Sequence, residues 1–228
     1  IIAEVTGFGQ APDMGYTTLS PDKDTGAYSA RPYISLDAGS FILNPGESKE
    51  VKATISIPSG AGSGGRYALI YLHTKPVATG QMGIVSAITV PVMITLKDTT
   101  LTETGRINAV NVGVIESGTP AVVSTIFTHT GNHHFYGAIN ELVVRDAGVT
   151  VANITTDPEV HAFIPGQTVE FRTPVGTILS PGSYTITSRI LNGGILLDEK
   201  STTFTVTEEY IPPFQKTTVK VVPDRETV

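Results

Sequence analysis

One eight-residue motif occurs twice in the chain, and its spacing limits the folds that the chain can adopt. The two copies, residues 44–51 and 164–171, share a Pro-Gly pair, a hydroxyl residue, a glutamate and an apolar residue at matching positions. Their Pro-Gly pairs are 120 residues apart. A period of that length indicates two copies of one domain rather than a solenoid of short units. A Gly-x-Tyr sequence follows each copy, ending at Tyr67 and at Tyr184.

The composition favours a β-protein, because Thr, Val, Ile, Gly and Pro are abundant and helix-forming runs are nearly absent. The net charge is −6 without a basic cluster, which disfavours a nucleic-acid partner. Cysteine is absent, so we expect neither a disulfide framework nor a thiolate metal site. We expect no membrane span in this chain, since no apolar run reaches about 18 residues.

The second half, residues 98–208, shows short strand-like segments separated by turn signals about every 8 to 12 residues, which predicts an antiparallel β-sandwich. The sequence Asn192-Gly193-Gly194 predicts a tight hairpin between the last two strands. Strands are predicted at residues 106–115, 121–129, 135–145, 149–155, 160–163, 168–172, 183–191 and 195–206.

The first half, residues 1–97, contains fewer strand signals before its Pro-Gly pair. Residues 47–57 alternate between apolar and polar, which predicts a half-buried strand. Residues 66–74 predict a central strand, and Pro91 indicates an edge or a bulge in the strand that follows. The other predicted strands are residues 1–9, 33–36, 40–43 and 84–96, with a long surface loop over residues 10–31. We interpret the deficit as a missing front hairpin.

Residues 209–228 are predicted to form a linker followed by one extra strand. The strand-like run has no partner in the sequence and follows a Pro-Pro pair. It consists of Lys216, Thr217, Thr218, Val219, Lys220, Val221 and Val222. Because an unpaired sheet edge attracts another strand, this run is a candidate donor strand for the first half. It could complete its own chain or a neighbouring one, or the chain could simply lack its true N-terminal strands.

Residues 41–51, 55–58 and 65–70 resemble the immunoglobulin-like domains of secreted and cell-surface proteins in archaea and bacteria, including the PapD-like and CARDB-like groups. In those domains the Pro-Gly turn begins a middle strand, and Gly-x-Tyr begins a later core strand. Residues 127–132 are similar to their Asn-Thr-Gly-Asn turn, although His129 replaces the usual Asn. The resemblance implies two consecutive immunoglobulin-like antiparallel β-sandwiches, at 1–97 and 98–208. It implies non-catalytic modules for adhesion, assembly or spacing.

Two groups of residues are candidates for metal binding. His129 and His133 lie close together around a turn, and imidazoles can bind transition metals. Asp13, Asp22 and Asp24 lie in the predicted surface loop, but Tyr33 occupies the position where an EF-hand loop would need glutamate. The alternative interpretation of both groups is ordinary polar turn residues, and we expect no metal and no cofactor.

The remaining motifs do not indicate an enzyme. We find no nucleophile elbow, no zinc-protease motif and no cysteine nucleophile, so we predict a non-catalytic protein. The glycine-rich run at residues 60–65 precedes a strand rather than a helix, which favours a loop over a phosphate site. Asn153 begins an Asn-Ile-Thr sequon and is a candidate glycosylation site in a secreted protein.

Together these observations predict an extracellular or cell-surface structural or adhesive protein. It could assemble head-to-tail into a fibre by strand complementation through residues 216–222, with itself or other surface proteins as partners. The competing hypothesis is an accessory module of a larger secreted protein that binds carbohydrate or cell-wall polymer. In that case Tyr16, Tyr28 and Tyr33 are the loop aromatics that could contact glycans.

Overall fold

The computed structural model describes residues 1–208 except positions 76, 80, 81, 114, 117 and 119. Its elements there are β-strands and one short 3-10 helix, Arg31–Tyr33, which confirms the predicted all-β fold of the β-sandwich class. The first half contains β1 (Ile2–Gln10), β2 (Tyr16–Leu19), β3 (Ile34–Leu36), β4 (Ala53–Ile55), β5 (Gly65–His73), β6 (Val77–Thr79), β7 (Met82–Ile84) and β8 (Ala87–Thr95). The second half contains β9 (Gly105–Val112), β10 (Ile115–Glu116), β11 (Val122–His129), β12 (Ile139–Asp146), β13 (Val149–Thr155), β14 (Thr168–Pro174), β15 (Gly182–Asn192) and β16 (Ile195–Thr207).

The main sheet of the first half is antiparallel and has the strand order β2-β1-β5-β8. The predicted central strand is confirmed, because β5 pairs with β1 on one side and with β8 on the other. The expectation from Pro91 is also confirmed, since β8 forms one end of this sheet. Two two-stranded sheets, β3–β4 and β6–β7, complete the paired strands described in this half.

Three predictions for the first half are wrong. Residues 10–31 are not a continuous loop, because β2 pairs back onto β1 after a turn closed by the Ala11 N–H donating to the Gly15 carbonyl. Residues 40–43 make only one isolated bridge, between Ser40 and Ile2. Of residues 47–57 only β4 is a strand, and Ala53 and Ile55 are exposed. The local alternation there has no long partner strand, and a strand needs a partner to satisfy its backbone groups.

The second half contains a five-stranded sheet, β10-β16-β15-β12-β13, and a three-stranded sheet, β14-β11-β9. Apolar residues of both sheets form one core, with Phe127, Leu142 and Ile186 fully buried. The predicted tight hairpin is confirmed, because β15 ends at Asn192 and β16 begins at Ile195. Residues 160–163 are not a strand, although Phe163 makes an isolated bridge to Phe135 and is buried.

The repeated motif forms the same turn in both halves. In the first copy the Glu47 N–H donates to the Asn44 carbonyl at 3.0 Å, and Gly46 has φ +81°. In the second, the Gln167 N–H donates to the Ile164 carbonyl at 3.1 Å, and Gly166 has φ +79°. Proline followed by a glycine at positive φ is typical of a type II turn. Among the described residues, every sheet consists of strands that lie on one side of residues 97–104 in the sequence. The domain boundary predicted near residue 97 remains a prediction.

Candidate assembly site

The two halves share a four-stranded sheet with the same strand order and directions. The order β2-β1-β5-β8 in the first half corresponds to β13-β12-β15-β16 in the second, and every neighbouring pair is antiparallel. The corresponding strands also follow one another in the same order along the chain. The repeated motif therefore marks a repeated architecture.

The halves differ in what lies beside the last strand of this sheet. In the second half, β10 pairs in parallel with β16, and Ile115 lies opposite Val206. β9 also runs beside β16, where the Ile107 N–H donates to Asp198 Oδ2 at 2.6 Å. In the first half, β8 pairs only with β5 among the described residues. The strands β9, β10 and β11 have no counterpart in the described first half.

This missing coverage leaves apolar side chains exposed along β8. The pairing register places Ile88 beside Leu72, and Val90 beside Ile70, on one face of the sheet. Ile88 is 68% exposed and Val90 is 43% exposed. We call the outer edge of β8 with these two side chains the uncovered edge. Ile55 on β4 is also 47% exposed.

A groove of about 290 Å³ lies at the Ala87 end of the uncovered edge. Its lining is predominantly apolar and includes Ile1, Phe41, Leu72 and Ile88. The Pro-Gly turn of the first half is close by, and residues 42–50 are all exposed. Exposed apolar surface of this kind marks sites of association more often than ordinary surface does.

Around the corresponding Pro-Gly turn of the second half, Ala162, Ile164 and Pro165 are buried where the first half packs against them, whereas Gly166 is exposed. Gln10 occupies the centre of this junction: its Nε2 donates to the Ala162 carbonyl at 2.9 Å, and its Oε1 accepts from the Ile164 N–H at 3.3 Å. Ala162 and Ile164 are buried in one cluster with Phe8 and Leu69. The equivalent of Ala162 in the first half is Ile42, which is 87% exposed.

The glycine-rich loop before β5 belongs to the same junction. The Gly65 N–H donates to the Asn132 carbonyl at 2.7 Å. Gly64 has φ +84°, and a Cβ there would lie 2.1 Å from the Asn132 carbonyl oxygen. Only glycine fits such an approach. Within the glycine-rich run at residues 60–65, Gly64 is therefore the position that allows close contact between the halves.

The histidines proposed as metal ligands are held by hydrogen bonds. His129 is 1% exposed; its Nδ1 accepts from the Gly131 N–H at 2.9 Å, and its Nε2 donates to the His133 carbonyl at 2.8 Å. Both ring nitrogens of His129 are therefore engaged. His133 Nε2 lies 3.1 Å from Thr95 Oγ1, and its Nδ1 lies 3.7 Å from Glu103 Oε1. Burial lowers the pKa of His129, which favours its neutral form.

Tyr67 connects the two halves through its hydroxyl group. That oxygen accepts from the His134 N–H at 2.8 Å and lies 3.2 Å from His134 Nδ1. Burial raises the pKa of Tyr67 to about 12, so the hydroxyl stays protonated, and burial also lowers the pKa of His134. Tyr184, its counterpart in sequence, instead stacks on Phe204 within the core of the second half.

The three candidate aspartates are separately engaged. Asp13 Oδ1 accepts from the Gly15 N–H at 3.1 Å. Asp22 is exposed, and a hydrogen bond from Ser20 lowers its pKa. Asp24 pairs with Arg31 at 3.0 Å and accepts from Ser29 Oγ at 2.6 Å. Within the described residues, no three His, Asp or Glu side chains form a group that could hold a metal ion.

The other candidate residues have distinct environments. Asn153 is exposed on β13, which forms the far end of the five-stranded sheet. Tyr16 is half-buried at the junction, where it packs edge-on against Phe8 at 4.8 Å and accepts from the Ala162 N–H. Tyr28 donates to the Gly131 carbonyl at 3.3 Å. The candidate donor strand, residues 216–222, lies outside the described residues.

The chain was compared with known proteins. No family model matches it, and a search of curated proteins finds no match. Within the part of the chain that the structure describes, no helix is long and apolar enough to cross a membrane. The structure itself shows the class of protein: an all-β protein of the β-sandwich class with several antiparallel sheets.

Proposed function

We propose that this protein is a non-catalytic, extracellular structural or adhesive surface protein whose copies assemble head-to-tail by β-strand complementation. The tail segment, residues 216–222, is the donor strand, and the first half of another copy is the acceptor. The observation that carries the proposal is the uncovered edge. A sheet edge that is covered by β9 and β10 in the second half has no such cover in the described first half.

The side chains of the tail segment suit this role. Successive residues of a strand point to opposite faces, so Thr217, Val219 and Val221 share one face. Lys216 and Lys220 lie on the other face, where they would meet solvent. Removing Ile88 and Val90 from water would contribute on the order of 1 to 3 kcal/mol each. Backbone pairing along the edge adds to this contribution, as in other cases of strand addition.

The geometry gives less support to the carbohydrate-binding alternative. Tyr16 and Tyr28 are engaged in the junction between the halves, and neither is fully exposed as a stacking platform would be. Binding to a panel of surface glycans that is lost on Tyr33→Ala, in a protein that does not self-associate, would favour this alternative over the assembly proposal.

The acceptor side can be tested with two matched variants. Ile88→Asp places a charge on the uncovered edge, whereas Ile195→Asp places one on the hairpin of the second half. The two isoleucines are 68% and 69% exposed, so both variants should fold equally well. We expect Ile88→Asp to shift size-exclusion and light-scattering profiles toward monomer and Ile195→Asp to leave them unchanged. Equal profiles for the two variants would contradict the acceptor assignment.

The donor side is tested by deleting residues 209–228, which should abolish assembly. A sharper comparison uses two double variants of the full chain. Val219→Asp/Val221→Asp changes the apolar face of the tail segment, whereas Thr218→Asp/Lys220→Asp changes the opposite face. Only the first double variant should dissolve the oligomers. Oligomers that survive the deletion would refute strand complementation.

A further inference from the structure

We infer that the tail segment of one copy runs parallel to β8 of the next copy and enters at the Ala87 end. This inference rests on the proposed function and goes beyond it by fixing the direction of the donor strand and the end at which it enters. It also excludes the chain's own first half as the acceptor in this arrangement. Three observations on the described residues support it.

The first observation is that the chain already makes one such crossing internally. Nine residues, 96–104, separate the end of β8 from the start of β9. The chain then covers the edge of the next four-stranded sheet: Lys200 on β16 donates from Nζ to the Asn108 carbonyl of β9, and β10 pairs with β16 in parallel. After β16 ends at Thr207, eight residues, 208–215, precede the tail segment. The tail segment therefore follows the second half with nearly the spacing at which β9 follows the first.

The second observation concerns where the tail leaves the second half. The first half contacts the end of the second half that carries Gly131 and Gln167. β11 spans the second half from the far end, where Val122 pairs with Pro174, to the junction, where Thr128 pairs with Thr168. β9 ends at the same far end, where Val112 pairs with Val123, and Ile115 just beyond it pairs with Val206. Thr207 therefore lies at the end of the second half that is remote from the junction.

The third observation is that the segment between Thr207 and Lys216 is too short for the tail segment to pair in parallel with β8 of its own chain. Thr95, the last residue of β8, lies at the junction, where its Oγ1 is 3.1 Å from His133 Nε2. Because the junction contacts of Gln10 and Thr95 lie at one end of each half, a tail that enters β8 at Ala87 would have to pass the length of β11 and then the length of β8. These lengths together are roughly 50 Å at about 3.3 Å per residue. Nine residue steps from Thr207 to Lys216 span at most about 32 Å. A second copy removes this restriction.

The arrangement places the tail segment where apolar cover is missing. A strand that enters at Ala87 passes the groove beside Ile1 and Leu72 and then the side chains of Ile88 and Val90. The face formed by Thr217, Val219 and Val221 would lie against these residues. Each copy would accept one tail and donate one, and such a heterologous contact generates an open chain of copies.

Disulfide trapping tests the direction directly, because the chain contains no cysteine of its own. Full-length chains with two different tags each receive one cysteine and are mixed before mild oxidation. Thr89→Cys and Thr95→Cys lie near the two ends of β8, on the face opposite Ile88 and Val90. Lys216→Cys and Val222→Cys lie at the two ends of the tail segment, on the matching face. Disulfides require Cα atoms within about 7 Å, so only paired ends should be trapped.

We expect cross-links between positions 89 and 216 and between positions 95 and 222, at least about tenfold above the crossed combinations. Dominant cross-links of 89 with 222, or of 95 with 216, would overturn the parallel direction. A fast-migrating monomer from a chain with both Thr89→Cys and Lys216→Cys would show pairing within one chain and overturn the inference.

The trapping result is independent of the test of the proposed function. If deletion of residues 209–228 dissolves the oligomers but no β8 position is trapped, the inference fails while strand complementation stands. If the deletion leaves the oligomers intact, the proposed function fails and this inference fails with it.

Discussion

Replacement of Gln10 by alanine should reveal how strongly the junction stabilises the protein. Gln10 is 9% exposed, and its side chain makes hydrogen bonds to the Met14 and Ala162 carbonyls and to the Ile164 N–H. Truncation leaves these buried groups without a partner, and each such group costs about 1 to 3 kcal/mol. Because the groups relax in part, we expect Gln10→Ala to lower the free energy of unfolding by about 2 to 4 kcal/mol.

Gln167→Ala is the matched control, because Gln167 lies in the same junction and accepts from the Gln10 N–H at 3.3 Å. Its loss should cost about 1 kcal/mol, the typical net contribution of one hydrogen bond. Urea denaturation followed by circular dichroism measures both values, and an unchanged slope shows that the denatured states are comparable. Equal destabilisation by the two variants would refute the argument that Gln10 is the centre of the junction.

Two further predictions concern the repeated turn and acidic pH. Gly46→Ala and Gly166→Ala should each lower the free energy of unfolding by about 1 to 2 kcal/mol, because a Cβ meets nothing within 4 Å there and only the positive φ opposes it. Gly60→Ala is the control, since Gly60 has no positive φ, and it should lower the free energy much less. A similar loss for Gly60→Ala in thermal denaturation would contradict this reasoning. The pKa values of His129 and His134 are lowered from 6.5 by burial, so the unfolded chain binds more protons in the window below 6.5. The stability that these residues contribute is therefore complete above pH 6.5 and decreases as pH falls through their folded pKa values. His129→Asn should reduce this pH dependence. Melting temperatures that fall equally with pH in the variant and in the unmodified protein would contradict the role of His129.

The sequence was sufficient to predict the elements that are determined locally. Turn signals between short strand-like segments identified β14 and β16. The Gly193–Gly194 pair identified the hairpin between β15 and β16, and both glycines adopt positive φ. The Pro-Gly motif predicted a repeated turn, and the structure has that turn twice. Such features depend on neighbours in the sequence and are therefore visible in it.

The errors have a different origin, because they depend on contacts between distant residues. Residues 47–52 have the alternation of a strand but lack the partner that β11 provides to β14. Tyr16 lies in a polar, turn-rich stretch and is nevertheless held in β2 by pairing with Gln10. Nothing in the local sequence around Gln10 indicates that its side chain would join the two halves.

The hairpin between β1 and β2 has a consequence for the order of folding. Met14, at φ +69° in the turn of this hairpin, is 4% exposed and belongs to the main hydrophobic core of the second half. That core also includes Val206, so it is complete only after roughly 190 further residues have been synthesised. At about 5 to 20 residues per second, the ribosome needs roughly 10 to 40 seconds for this stretch. During that interval the tip of the first hairpin has no native core to enter, and its methionine is exposed to chaperones and to oxidants.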